Sequence, residues 1–367
     1  MLPEENFQAL ISARAPIPFR DFMEIALYHP LHGYYGSGRA TLGRQGDYFT
    51  NVSVGSLFAQ LLATQFREMW DRLNRPDPFT IVEQGANDGT FAEDLLTFSH
   101  QSSPDFFKSL QYTIVENLEV LQTRQQNRLD PFTTKVRWLN SLEALPPFTG
   151  VHFSNELIDA FPVHLVRFKN GEWRERWVTP DLEWTDKPIQ NASLLDALAH
   201  APSIEGYTTE VNLDALTWAT AVAPKIEQGW LLTIDYGYPR ARYYAPERRT
   251  GTLECYAAHK KGLDPLSNPG QCDLTAHVDF TTLAKAFLTA GMHLSGYTDQ
   301  HHFLTPLAAQ TFAARSPSPQ EARSLKTLLH PELLGRSFQV LCMSRRVPPL
   351  PLSGFQFARN PLPELGI

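Results

Sequence analysis

Apolar and polar residues follow two different rhythms along this chain. From Val54 to Leu73 the apolar positions recur at steps of three and four, which places them on one face of a helix. Beyond Pro76 and Pro78, short and mostly apolar runs alternate with further helical stretches. Such runs are typical of parallel strands that are covered on both faces. The pattern predicts an α/β fold in which helices lie on both faces of a parallel sheet.

The individual elements follow from the same pattern. Strands are predicted at 79–83, 111–116, 135–139, 150–155, 229–236 and 337–345. Helices are predicted at 19–27 and 54–73, from Thr90 onward, and at 118–129, 212–227 and 279–290. Two alternating runs joined at Asn170-Gly171 predict an antiparallel hairpin over 163–178.

These elements suggest one main domain with additions. We expect a helical extension over 1–75 packed on the core, a core over 76–345, and a tail over 346–367. Insertions are expected at about 163–210 and 238–278, and the second of these is loop-rich in sequence. Connections of that length are usually functional.

Composition and charge narrow the possible partners. A hydrophobic content of 43% is enough for a large core, whereas a net charge of −7 disfavours binding to nucleic acid or to an anionic membrane. No apolar run approaches the roughly 20 residues of a membrane span, and none near the start resembles a signal peptide. Three scattered cysteines imply no disulfide framework. We therefore expect a cytoplasmic protein.

The segment "FTIVEQGANDGTF" places a glycine-bracketed turn after the first core strand. A dinucleotide would favour GxGxxG, and Asp88 would repel a phosphate there. A sulfonium nucleoside such as S-adenosylmethionine carries no phosphate and tolerates an acidic turn. It also needs a carboxylate for its ribose hydroxyls, and Glu116 ends the second strand. An ordinary strand-to-helix turn is the alternative interpretation.

A second polar group follows the fourth strand, in "SNELIDAFP". Asn155, Glu156 and Asp159 would face a ligand held at the first two strands. Helix capping would account for Asn155 or Asp159, but not for a carboxylate directly after an apolar strand. Carboxylates suit a guanidinium acceptor, because arginine stays protonated and must be oriented and deprotonated.

The sequence gives little indication of a metal site or of a hydrolase. Cys255 with His259 and Cys272 with His277 lack the regular spacing of a zinc site, so no metal is expected. No GxSxG nucleophile elbow is present, which leaves a hydrolase without its main motif.

Nine segments in one order resemble the MidA-like methyltransferases, a family that includes the mitochondrial arginine methyltransferase of respiratory complex I assembly. They are "FMEIALYHPLHGYY", "GDYFTNVSVGSLFAQLL", "IVEQGANDGTFAEDLL", "SNELIDAFPVHLVRF", "ERWV", "LLTIDYGY", "GTLECYAAHK", "GQCDLTAHVDF" and "GRSFQVL". The chain departs from the family's usual glycine loop at Asn87 and Asp88, and it lacks the usual proline after "GDYFT".

The resemblance implies a class I fold with a Rossmann-like seven-stranded sheet, S-adenosyl-L-methionine as cofactor, and an arginine of a protein substrate, such as a complex I subunit, as acceptor. Asn155, Glu156 and Asp159 become the acceptor-side candidates. Loops with Asp47, Thr50, Asp273 and His277 are candidates for closing over the cofactor. The expected cofactor contacts are Glu83, Gly85, Ala86, Asn87, Gly89, Glu116, Asn117, Ser141 and Leu142.

Two other functions remain open at this point. One is a non-catalytic assembly factor that binds S-adenosylmethionine, and the other is a small-molecule methyltransferase. A dehydrogenase is the weakest alternative because the turn lacks the required glycine spacing.

Overall fold

The computed structural model describes residues 7–14, 16–39, 50–257 and 260–367. The strands are β1 (Ile17–Pro18), β2 (Phe79–Gln84), β3 (Leu110–Val115), β4 (Val136–Leu139), β5 (Phe148–Asn155), β6 (His164–Lys169), β7 (Glu172–Val178), β8 (Trp184–Pro188), β9 (Thr208–Val211), β10 (Ile226–Tyr238), β11 (Glu254–Ala257), β12 (Lys260–Lys261), β13 (Asp273–Thr275), β14 (Val278–Asp279), β15 (His293–Asp299) and β16 (Phe338–Arg345).

The α-helices are α1 (Phe7–Ser12), α2 (Phe19–Tyr28), α3 (Leu57–Arg72), α4 (Thr90–Ser102), α5 (Pro104–Ser109), α6 (Glu119–Arg128), α7 (Ala192–Ala197), α8 (Leu213–Val222), α9 (Arg240–Tyr243), α10 (Phe280–Thr289), α11 (Gln300–Thr311), α12 (Pro319–Leu329) and α13 (Pro361–Leu365). None of the helices in these described ranges is long and apolar enough to cross a lipid bilayer.

The chain forms two compact units. The smaller comprises Met1–Tyr48, Ile158–Thr217 and Tyr238–Asp279, and the larger comprises Phe49–Leu157, Trp218–Gly237 and Phe280–Ile367. The domain boundaries that we expect at residues 75 and 345 stay predictions.

The larger unit is built on the central sheet, in the order β15-β16-β10-β5-β2-β3-β4. The five strands from β10 to β4 run parallel, as predicted, whereas β16 runs antiparallel to both of its neighbours. In the described part of the chain this sheet has eight strands, counting the two-residue strand β14, rather than the expected seven. Strand order reverses between β2 and β5, and ligands of such sheets bind where the carboxyl ends of the strands meet at this point.

The core of this unit explains why these strands lie in the middle. Alternate residues of β5 point to opposite faces, and Phe153 stacks on Phe91 of α4 with ring centroids 4.6 Å apart. The predicted amphipathic helix is α3, whose apolar face is buried in the same core. Burial on both faces fixes the register of the strands and therefore the residues at their ends.

The described residues of the smaller unit form two antiparallel sheets. One has the order β1-β7-β6-β9, with β8 paired to β7, and the other has the order β12-β11-β13. The predicted hairpin is confirmed, since Asn170 and Gly171 both have positive φ, 54° and 80°. The described residues of the region 238–278, which is expected to be loop-rich, contain only short elements, namely α9 and β11 to β13. These elements have two to four residues, which is too short to produce a readable period.

Candidate functional site

Glu83 lies one residue before the end of β2 and is fully buried. It accepts a hydrogen bond of 2.7 Å from the hydroxyl of Tyr112 in β3. The pKa of the Glu83 carboxyl is raised to about 8: burial is the main cause, the hydrogen bond from Tyr112 opposes it, and the nearby Asp88 charge adds to it. Glu83 is thus held protonated near neutral pH inside the sheet.

The turn after β2 adopts a conformation that its sequence makes possible. Gly85, Asn87 and Gly89 all have positive φ, 81°, 47° and 83°. Glycine and asparagine tolerate this region better than other residues. The N–H of Gly89 closes the turn on the carbonyl of Ala86 at 2.8 Å, and Gly85 is exposed. A β-carbon on Gly85 would lie 3.2 Å from Leu157 Cδ1.

Asp88, the acid expected to repel a phosphate, is engaged within the protein. Its Oδ1 accepts from the N–H and hydroxyl of Thr90 at 3.1 and 2.8 Å, at the start of α4. Its Oδ2 accepts from Arg128 at 2.8 Å. Asp88, where the chain departs from the family's usual loop, therefore forms an ion pair with Arg128 and hydrogen bonds with Thr90 at the start of α4.

Glu116 directly follows β3 and is buried, 7% exposed. Its Oε1 accepts the N–H of Leu118 at 3.0 Å, and its Oε2 accepts from Gln125 Nε2 at 3.2 Å. Burial raises the pKa of the Glu116 carboxyl, whereas these hydrogen bonds lower it. A buried carboxylate with two donors is well ordered for binding a diol.

The remaining expected cofactor residues lie after β3 and β4. Asn117 is exposed, and Ser141 and Leu142 are half-buried in the loop after β4. The carbonyl of Leu142 accepts the N–H of Leu145 at 3.1 Å. Asn140, which precedes Ser141, accepts a hydrogen bond from Gln122 at its Oδ1 atom, at 2.8 Å. The loop that follows β4 is thereby tied to α6.

Glu156 follows β5 with a positive φ of 53°. This conformation is strained for a glutamate, and such strain is common at functional sites. Its Oε1 accepts from the side chain of Asn155 at 2.9 Å and from the backbone N–H of Asn51 at 3.2 Å. Its own N–H donates to the carbonyl of Ile234 in β10 at 2.9 Å. Both the backbone and the carboxylate of Glu156 are therefore fixed.

Asn51 and Gln300 extend this network into the core, and both are fully buried. The amide of Asn51 donates to Asn155 Oδ1 at 3.0 Å. Gln300, the first residue of α11, donates to Asn51 Oδ1 at 2.8 Å and to the carbonyl of Leu328 at 3.2 Å. Hydrogen bonds that begin at Gln300, at the start of α11, therefore hold Asn155 at the end of β5 in place through Asn51.

The third acceptor-side candidate belongs to a different unit from Asn155 and Glu156, which are joined by a hydrogen bond. Asp159 belongs to the smaller unit, where it is buried and its carbonyl accepts the N–H of Ala276 at 2.8 Å.

The residues expected in the loops that close over the cofactor also belong to different units. In the larger unit, the N–H of Thr50 donates to Ser53 Oγ at 2.9 Å. In the smaller unit, Asp273 accepts from Tyr35 at 2.8 Å, and the N–H of His277 donates to Thr252 at 3.0 Å. Asp47 lies outside the described residues.

Sequence reasoning missed five residues that support these strand ends. They are polar residues in a helix or loop and resemble solvated positions, so composition gives no indication of their burial. The helix α6 does offer one pattern, since its three contributions recur every third position and share a face. The missed residues are Asn51, Gln122, Gln125, Arg128 and Gln300.

Comparison with known proteins identifies the class. Residues 61–298 match the model of a family described as S-adenosyl-L-methionine-dependent methyltransferases. The match covers more than half of the chain, and the chain belongs to this family. Its cofactor is S-adenosylmethionine, and the MidA-like resemblance of the sequence is confirmed.

Individual relatives agree over nearly the whole length. A Burkholderia thailandensis protein, solved in complex with S-adenosyl-homocysteine, is 31% identical with a TM-score of 0.85, covering 96% of this chain and 94% of that one. A mitochondrial protein arginine methyltransferase NDUFAF7 homologue of Drosophila melanogaster is 27% identical, covering 92% and 84%. The Homo sapiens protein arginine methyltransferase NDUFAF7 is 25% identical, covering 95% and 84%.

These comparisons correct one expectation. We expect a cytoplasmic location from the sequence, but the curated relatives from fly, fish and human are all named mitochondrial proteins. The cytoplasmic assignment is therefore wrong. It rests on the lack of an apolar leader near the start, and that criterion tests only for secretion.

Proposed function

We propose that this methyltransferase acts on an arginine side chain of a protein substrate. The observation that carries the proposal is Glu156, whose carboxylate is fixed by Asn51 and Asn155 beside the strand-order reversal. Asn155 and Glu156 would contact the acceptor, and Asp159 stays a predicted third contact. The names of the curated relatives support arginine as the acceptor. A complex I subunit as the substrate stays an expectation.

The cofactor side of the proposed site uses the three neighbouring strand ends. The backbone at Gly85 is exposed and carries no side chain, so a ligand could approach it closely. The Glu116 carboxylate suits the two ribose hydroxyls, and the positive charge of Arg128 beside the turn is paired with Asp88 and Glu93. The residues therefore fit S-adenosylmethionine, which supplies an electrophilic methyl group when bound. The proposed contacts are Glu83, Gly85, Ala86, Asn87, Gly89, Glu116, Asn117, Ser141 and Leu142.

The chemistry explains why a fixed carboxylate is useful here. A guanidinium stays protonated and spreads its charge over three nitrogens, so its nucleophilicity is low. A carboxylate that accepts two of its N–H groups orients the planar fork and concentrates electron density on the remaining nitrogen. Glu156 would perform this role and receive the proton that leaves the methylated nitrogen.

Orientation supplies most of the remaining rate enhancement. Methyl transfer requires the attacking nitrogen, the methyl carbon and the leaving sulfur to lie in line. Fixed geometry of this kind contributes about 7–11 kcal/mol in the best intramolecular models. The hydrogen bonds from Asn51 and Asn155 restrict the Glu156 carboxylate to one orientation and so would restrict the acceptor.

The variant Glu156→Gln tests the proposal. Glutamine keeps the size of the side chain but loses the charge, so we expect methyl transfer to arginine to fall by at least about 100-fold. Binding of S-adenosyl-homocysteine, measured by calorimetry, should stay within about threefold. Glu227→Gln is the matched control, because Glu227 is exposed at the amino end of β10. Normal methylation by Glu156→Gln would refute the assignment of Glu156.

A further inference from the structure

The helix α6 presents three polar side chains on one face to the proposed cofactor loops. Gln122, Gln125 and Arg128 recur at steps of three along the helix. Gln122 donates to the carbonyl of Glu116 at 2.6 Å, and Arg128 donates to the carbonyl of Asp88 at 3.0 Å. Between them lies Gln125, which is fully buried.

Gln125 joins three strand ends through one amide group. Its Nε2 donates to the carbonyl of Asn87 at 2.8 Å, in the turn after β2, and to Glu116 Oε2 at 3.2 Å, after β3. Its Oε1 accepts from the indole N–H of Trp138 in β4 at 3.1 Å. Both amide hydrogens and the carbonyl oxygen are therefore used.

Only one orientation of this amide is compatible with its partners. Asn87 and Glu116 offer acceptors, and Trp138 offers a donor. A flipped amide would place oxygen against two acceptors and nitrogen against a donor. A glutamate at position 125 would repel Glu116, and an apolar residue would leave buried groups without partners. Glutamine is thus the residue that satisfies all three contacts.

The turn itself packs on the same part of α6. A β-carbon on Gly89 would lie 3.4 Å from Gln125 Cα and 3.5 Å from its Cγ. Gly89 therefore packs against the backbone of Gln125, while the side chain of Gln125 donates a hydrogen bond to the carbonyl of Asn87. Movement of Gln125 would shift the turn and the Glu116 carboxylate together.

We propose that Gln125 is a positioning residue of the cofactor site, which fixes the Glu116 carboxylate relative to the turn at Asn87. It would touch no part of S-adenosylmethionine and would act through these two neighbours. The inference rests on the proposed role of Glu116 as the ribose ligand. It is independent of the identity of the methyl acceptor.

The test compares Gln125→Met with Gln126→Met. Methionine nearly preserves the shape of glutamine but cannot donate, and Gln126 is exposed on the same helix. We expect Gln125→Met to weaken binding of S-adenosyl-homocysteine by about tenfold or more, as measured by calorimetry, because a hydrogen bond to a charged group is lost. Gln126→Met should bind as the parent does.

The pH dependence of that affinity separates positioning from general destabilisation. The bond from Gln125 favours the ionised form of Glu116, so its loss raises the pKa of that carboxyl further. We expect the acid limb of S-adenosyl-homocysteine binding to move to higher pH in Gln125→Met. An unchanged limb, or unchanged affinity, would overturn the inference.

A second variant tests the proposed role of Glu116 as the ribose ligand, on which the role of Gln125 rests. Glu116→Gln should weaken S-adenosyl-homocysteine binding at least as much as Gln125→Met does. If Glu116→Gln binds normally, the ribose assignment fails and the role of Gln125 fails with it. Neither result depends on methyl transfer, so the arginine proposal is judged separately.

Discussion

The backbone N–H of Asn51 donates to Glu156 Oε1 at 3.2 Å, although the two residues are 105 positions apart in the sequence. Asn51 also holds Asn155 and is itself held by Gln300. A loop before α3 and the start of α11 thus set the orientation of a carboxylate at the end of β5. The proposed acceptor side depends on this long-range arrangement.

Gln300→Leu should reduce turnover more than cofactor affinity. Leucine leaves Asn51 Oδ1 and the Leu328 carbonyl without their donor, which costs about 1–3 kcal/mol of unfolding free energy. We expect kcat for methyl transfer to fall about tenfold, with S-adenosyl-homocysteine affinity within about threefold. Gln310→Leu, at an exposed position of the same helix, is the control. Loss of stability with unchanged kcat would show that the network is only structural.

Gly85 and Gly171 allow a matched test of the turn. Their φ values are 81° and 80°, so valine costs similar backbone strain at each, about 1–2 kcal/mol. Only Gly85 has a neighbour, Leu157, near the new side chain; none of the described atoms lies within 4 Å of a β-carbon at Gly171. We expect Gly85→Val to abolish S-adenosyl-homocysteine binding and Gly171→Val to retain it, as measured by calorimetry. Equal affinities would reject the turn as the binding site.

Glu83 should make stability depend on pH in a defined direction. The pKa of its carboxyl is raised from 4.5 to about 8 in the folded state, so that state holds a proton which the unfolded chain releases. The contribution of Glu83 is therefore fully present below pH 4.5 and is lost as pH rises toward 8. Glu83→Gln cannot ionise and should gain stability relative to the parent across this window, by about 1.4 kcal/mol per pH unit.

Urea unfolding of both proteins at several pH values checks this expectation. Glu119→Gln is the control, because Glu119 is exposed at the start of α6. A stability difference between Glu83→Gln and the parent that does not change with pH would contradict the assigned environment of Glu83.

The central sheet was predictable because its strands are apolar runs buried on both faces. The runs that contain Phe79, Tyr112 and Phe153 were recognised for that reason, and Glu116 and Glu156 follow from the ends of their strands. The short polar strands could not be recognised in this way. The strand β8 contains Asp186 and Lys187, and β11 has only four residues, so neither gives a readable period.

The supporting residues of the site were hidden for a different reason. A glutamine in a polar helix predicts a solvated position, yet Gln125 is buried by partners from three separate strand ends. Gln300 meets Asn51 across 249 positions, a separation that no local pattern encodes. Local rules located the strand ends, whereas tertiary packing decided which polar residues support them.

The identity of the methylated atom is the most direct test of the proposed function. The protein would be incubated with proteins of its host and S-adenosylmethionine carrying an isotopically labelled methyl group, and labelled residues would be mapped by mass spectrometry. We expect label on arginine in a protein, and we expect this label to be lost with Glu156→Gln and retained with Glu227→Gln. Label confined to another residue type or to small molecules would contradict the proposed function.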